Sequence, residues 1–83
     1  MSQWQFVLHQ RALEEIDRLK PVERRAVRGA LLQLVENPWQ TPDGQIRPPI
    51  DRIYLVKNVG TIRVVYWLDA FVREVLVTRI DRL

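Results

Sequence analysis

Cysteine is absent from the chain, so neither a disulfide framework nor a cysteine-based zinc site can support its core. That absence fits a cytosolic protein. No apolar run approaches the roughly 20 residues of a membrane span. The opening Met1-Ser2-Gln3-Trp4-Gln5 lacks the basic start and long apolar stretch of a secretory leader. A cytoplasmic location with no membrane contact is the expectation. Histidine occurs once, as His9, which removes any histidine pair from acid–base chemistry near neutral pH and suits a strand end or cap instead. No metal site and no cofactor are expected.

What is present is ordinary for a soluble domain, with 47% hydrophobic and 28% charged residues. At 83 residues the chain is one domain, 1–83, and buries about 60–65% of its unfolded surface. The net charge of +3 is unevenly spread. Residues 1–46 carry six basic and six acidic side chains, whereas residues 47–83 carry seven basic against four acidic, and six of those seven are arginine. Arginine's planar fork suits phosphate and stacks on bases, so the C-terminal half points to a nucleic-acid or acidic-peptide partner.

Residues 3–9, QWQFVLH, alternate with Trp4, Phe6 and Leu8 on one face, the period of a strand. From Gln10 to Lys20 the apolar positions Ala12, Leu13, Ile16 and Leu19 recur at helical spacing. Pro21 suits the first turn of a second helix, whose stripe of Ala26, Val27, Ala30, Leu31, Leu34 and Val35 runs to about Glu36 and stops at Asn37-Pro38. Residues 38–51, PWQTPDGQIRPPID, hold four prolines and read as a long loop. Three strand-like runs follow at 52–57, 61–68 and 72–80, with hairpin-sized separations.

The predicted architecture is α+β, β-α-α-β-β-β, with the N-terminal helical hairpin packed on one face of a small, mostly antiparallel sheet. The strand at 52–57 is expected to run opposite to the first, because the helical hairpin reverses direction twice. In the run 61–68, Ile62, Val64, Tyr66 and Leu68 form the more apolar set and belong to the covered core, which sends Thr61, Arg63, Val65 and Trp67 to the open face. The last strand has two credible buried sets, Val75/Val77 and Val72/Leu76/Ile80. Arg63 is the conspicuous residue: a guanidinium in the most strand-like run must reach water, a carboxylate or a phosphate.

The ordered set of an Ala-Leu-Glu-Glu helix, "LLQLVENP", "IYLVKNVGTIRVVYWLD" and "VLVTRIDR" resembles the RelE/ParE superfamily of bacterial toxins in toxin–antitoxin pairs, over nearly the whole chain. The most diagnostic stretch is Val59-Gly60-Thr61-Ile62-Arg63-Val64-Val65-Tyr66. The resemblance implies a toxin wrapped by a cognate antitoxin, in a complex that also binds operator DNA. RelE-like members cleave mRNA in the ribosomal A site, the expected activity here; ParE-like members of the same fold poison DNA gyrase, and a non-catalytic member that only binds its antitoxin is the other alternative. For a RelE-like reading the resemblance carries over Arg63 as the residue at the scissile phosphate, Lys57 as a basic residue of the preceding strand, and Arg82 as the basic residue closing the last strand. These are the expected catalytic set, with Arg52, Arg79 and Trp67 as further RNA contacts. The sequence departs from the pattern at Leu55, where a second basic residue is common. It also reaches Leu83 without the C-terminal tyrosine that many RelE-like enzymes use in proton transfer.

Cleavage through the RNA's own 2′-hydroxyl requires a base, an acid and a group to hold charge on the pentavalent phosphate. Arg63 and Arg82 suit the last role. Unperturbed Lys and Arg titrate at about 10.4 and above 12, far from neutrality, so the expected mechanism is electrostatic stabilisation with substrate geometry imposed by the ribosome. Plainer readings stand beside it. Arg63 can pair with Asp69 or Glu74 across the sheet, and Lys57 and Arg82 can serve solubility at strand ends. Trp39 and Trp67 can stack on bases or be half-buried packing. Arg24, Arg25 and Arg28 mark a solvated helix side that an acidic antitoxin segment or rRNA can also meet.

Overall fold

The structure, a computed structural model, describes residues 3–83. Met1 and Ser2, the start of the stretch read above for a leader, lie outside the described residues. The alternating segment forms strand β1 (Gln5–Leu8), followed by helix α1 (Gln10–Asp17) and helix α2 (Pro21–Glu36). Pro21 opens α2 as its fixed φ favours, and the Lys20 backbone N–H donates to Glu23 Oε1 at 3.0 Å, satisfying a donor at the helix start. At the other end Asn37 leaves the helical region, its N–H closing the last turn onto the Gln33 carbonyl at 2.9 Å. Strands β2 (Gly44–Ile46), β3 (Tyr54–Val59), β4 (Ile62–Asp69) and β5 (Glu74–Arg82) follow.

The sheet order is β1-β5-β4-β3-β2, with β1 parallel to β5 and the other three pairs antiparallel. The α+β class and the mostly antiparallel sheet are as the sequence predicts. Two details differ. The proline-rich loop contains β2, whose Gly44, Gln45 and Ile46 pair with Val56, Leu55 and Tyr54. Because β2 adds one more reversal before β3, β3 runs in the same direction as β1, not opposite to it. Three residues between prolines are too short to show a strand period, which is why the pattern read as loop.

The core lies between the helices and one sheet face. Ala12, Val27, Leu31 and Leu34 from the helices meet Ile62, Val64 and Tyr66 of β4 and Val75, Val77 and Ile80 of β5, all at 3% exposure or less. Each fully buried Val or Leu contributes about 1.5–3 kcal/mol relative to exposure. Leu68 is partly buried against this cluster, so the β4 assignment holds throughout. On the uncovered face Val65 pairs with Val56, and these two valines are buried as well.

The last strand takes members from both predicted sets because its phase changes midway. Tyr66 pairs with Val77 while Val65 pairs with Arg79, leaving Thr78 as an extra residue. The Thr78 hydroxyl donates to the Val65 carbonyl at 3.3 Å and anchors this bulge. Val75 and Val77 face the core before it, and Ile80 faces the core after it.

Candidate nucleic-acid interface

The bulge at Thr78 determines what the open face displays. It turns Arg79 and Asp81 to the uncovered side and returns Ile80 and Arg82 to the helix side. Arg63 on β4 is directly opposite Asp81, and their side chains form a two-pronged ion pair. Arg63 Nε donates to Asp81 Oδ1 at 2.8 Å and a terminal guanidinium nitrogen donates to Oδ2 at 2.7 Å. Arg79 Nε lies 3.3 Å from the same Oδ2 and 3.9 Å from Glu15 of α1. Glu15 also accepts the Ile80 backbone N–H at 2.9 Å and lies 3.9 Å from Arg11. The result is a chain of alternating charges across the edge of β5. Hydrogen bonding from Arg63 holds the Asp81 carboxyl below the usual carboxylate range, and Asp81 in turn pushes Arg63 up.

Four residues along β4, at the other end of the open face, the Arg52 guanidinium stacks 3.6 Å above the Trp67 ring. Beside it the Tyr54 hydroxyl donates to Asp51 Oδ2 at 2.6 Å, which raises the phenol and lowers the carboxyl. Each of these shifts moves a group away from neutrality. Among the described residues, the open face brings together cations and a stacking ring.

The expected catalytic set is not one cluster. Lys57 and Arg82 lie on the helix-covered side of the sheet, across it from Arg63. Lys57 shares its face with Leu55 and Val59, which pack on the core, and its Nζ donates to Gln40 Oε1 at 2.9 Å. Arg82 makes a two-pronged pair with Glu23 of α2, at 2.8 and 3.2 Å. That pair lowers the Glu23 carboxyl from 4.5 to about 2, through the Arg82 hydrogen bond first and the Lys20 backbone N–H second. The three expected catalytic cations are thus divided between the two faces of the sheet: Lys57 has the parity of Leu55 and Val59, and the bulge at Thr78 returns Arg82 to the side of Ile80. Arg63, Arg79, Arg52 and Trp67 are the candidate residues that share the open face.

The partner of Arg63 is neither Asp69 nor Glu74 but Asp81, which the sequence reading overlooked. The Arg79-Ile80-Asp81 alternation carries that signal once the phase of the strand is known. Trp39 packs edge-on against Trp4, ring centroids 5.8 Å apart, away from the open face. Arg24 and Arg28 rim a groove between α1 and α2 floored by Phe6, Leu8, Ile16 and Leu31. Among the described residues, no group of three or more His, Asp or Glu side chains converges to hold a metal ion, and no helix is long and apolar enough to cross a membrane.

Two helices on one face of a five-stranded mixed sheet define the α+β class. The particular version is the RelE toxin fold. One chain of the RelBE2 toxin–antitoxin complex of Mycobacterium tuberculosis superposes with a TM-score of 0.80 at 20% identity, covering 98% of this chain and 99% of that chain. The archaeal RelE–RelB complex of Pyrococcus horikoshii gives 0.79 at 12% identity over 96% and 94%. The isolated RelE toxin of E. coli gives 0.73 at 20% identity over 95% and 83%. At these identities the shared property is the fold. No protein-family model and no curated protein matches the sequence.

Proposed function

We propose that the chain is the toxin of a toxin–antitoxin pair, bound by a cognate antitoxin and acting on mRNA at the ribosome as an endoribonuclease. The observation that carries the toxin reading is the end-to-end likeness to chains taken from RelE–RelB complexes. The mRNA reading is supported by the open face, where Arg63 and Arg79 supply charge for a phosphate and Trp67 a surface for a base. Arg63 is the proposed phosphate contact. Lys57 and Arg82 enter this reading as residues that fix the helix side of the sheet through Gln40 and Glu23. Arg24, Arg25 and Arg28, exposed on α2, are available to an acidic antitoxin segment, to rRNA, or to operator DNA once the antitoxin is bound.

In this reading the arginines stabilise charge and the ribosome supplies positioning of the 2′-hydroxyl. Purified protein should cut naked RNA poorly and ribosome-bound mRNA well. A ParE-like action on DNA gyrase, without nuclease chemistry, is the second reading. It is favoured by one observation: Lys57, Arg63 and Arg82 are divided between two faces and each engages an internal acceptor. Expression of the wild-type chain and Arg63→Ala without antitoxin, with mRNA ends mapped on ribosomes and gyrase supercoiling assayed in parallel, separates them. Ribosomal cleavage lost on substitution supports the nuclease. Toxicity that is indifferent to Arg63, with impaired supercoiling, supports the gyrase reading and overturns the first.

A further inference from the structure

We infer that Asp81 is an internal stand-in for a phosphate: its carboxylate fills a two-arginine clamp, Arg63 and Arg79, that single-stranded RNA takes over by displacing it. The inference rests on the reading of the open face as an RNA surface.

A carboxylate and a phosphate offer the same recognition edge to a guanidinium, two oxygens accepting two parallel N–H donors. Asp81 uses that edge fully. Both of its oxygens accept from Arg63, at 2.8 and 2.7 Å, and Oδ2 also faces Arg79 Nε at 3.3 Å. Two guanidiniums converging on one anion is the geometry of a phosphate site, and here the anion belongs to the chain. The site remains open to solvent on one side, since the Arg63 side chain is 35% exposed and that of Arg79 46%. Entry of a diester therefore needs no rearrangement of the backbone, only rotation of one short side chain away from the clamp. The surrounding charges hold Arg79 in place during the exchange. Glu15 stays near Arg79 and is itself fixed by the Ile80 N–H, while Arg11 balances Glu15. With Asp81 in the clamp the group Arg11, Glu15, Arg63, Arg79 and Asp81 carries one net positive charge; with Asp81 neutralised it carries two.

Asp81 thus acts through Arg63 and Arg79 as a positioning residue. It keeps the two guanidiniums together against their mutual repulsion, and it sets a threshold that a weakly held RNA does not pass. The same logic appears at the other end of the face, where Arg52 covers the Trp67 ring at stacking distance, the place a base would take.

The test is the affinity of a labelled single-stranded RNA oligonucleotide for the wild-type chain, Asp81→Asn, and Asp81→Asn with Arg63→Gln. Asparagine keeps the size and one acceptor while removing the charge. The expected result is a gain of about two- to fivefold for Asp81→Asn, an increase in the salt-dependence slope of about 0.7 for the additional phosphate neutralised, and loss of the gain in the double variant. A purely structural Asp81 gives unchanged or weaker binding, and that result overturns the inference. If Asp81→Asn does not fold, inorganic pyrophosphate is titrated into the wild-type chain and the Arg63 and Arg79 Nε–H signals are followed by NMR. Movement of both supports the clamp, and movement of neither refutes it. Ribosomal cleavage plays no part in these measurements, so a gain in RNA affinity by a chain that cuts no mRNA would discard the nuclease reading and keep the clamp.

Discussion

Replacing Tyr66 by phenylalanine should stabilise the protein and leave its activity intact. Tyr66 is fully buried in the centre of the core, opposite Leu55 and Val77, and its hydroxyl has no hydrogen-bond partner among the described residues. Burial, with a smaller contribution from Asp43, pushes the phenol up and away from any role as a proton donor near pH 7. Burying a hydroxyl without a partner costs about 1–3 kcal/mol in proteins. Removing the oxygen recovers that penalty and leaves a void of one atom, whose lost contacts offset part of it. The expected net gain is about 1 kcal/mol, which for a domain of this size raises Tm by about 4–8 °C. Urea unfolding is the assay, because a shift in midpoint at constant slope isolates stability from changes in compactness. A fall in midpoint would refute the reasoning by revealing a partner for the hydroxyl, such as a buried water.

Other perturbations follow the same reasoning. Gly60 turns β3 into β4 at φ +61°, with open space where a Cβ would stand. Gly60→Ala should therefore cost about 1 kcal/mol of backbone strain and no more, and a loss several times larger in denaturant unfolding would mean a clash instead. The depressed Glu23 carboxyl predicts acid sensitivity. A carboxyl lowered on folding stabilises the native state above its unfolded value, and that stability drains away as pH falls from 4.5 towards about 2. Melting temperatures across that window should fall for the wild-type chain and flatten for Glu23→Gln; parallel curves would disprove the link to Arg82.

The helices, the β3–β4 hairpin and the covered face of β4 were legible because their periods are unbroken over many residues. Ile62, Val64, Tyr66 and Leu68 keep one parity along the whole strand, and Arg63 follows to the open face with no further information. The last strand was not legible in the same way, because both apolar sets are partly right. Val75 and Val77 belong to one and Ile80 to the other, and only the additional residue at Thr78 reconciles them. No local property of Thr78 announces the bulge; it is a fact of the pairing with β4. Asp81 was overlooked for that reason, since its face depends on a phase set elsewhere. The division of Lys57 from Arg63 was, by contrast, available from alternation across the β3–β4 hairpin, whereas that of Arg82 waited on the same phase as Asp81.

The strength of the Arg63–Asp81 pair decides how much of any ribosome dependence it can explain. The pair is part-exposed, with side-chain exposures of 35% and 18%. Pairs near the surface contribute roughly 0–1 kcal/mol, with bidentate geometry favouring the upper end. Each 1.4 kcal/mol is about tenfold in binding, so displacing Asp81 weakens RNA binding by a factor well short of tenfold in wild type. Correct positioning of reacting groups is worth about 7–11 kcal/mol, larger by an order of magnitude. Freeing the clamp therefore leaves most of the barrier to cleavage of naked RNA in place. Asp81→Asn should raise cleavage of free RNA by no more than about fivefold on this scale, while the proposed preference for ribosome-held mRNA should persist. A variant that cut free and ribosome-bound RNA equally would mean that the clamp, not the geometry of the substrate, had been the barrier.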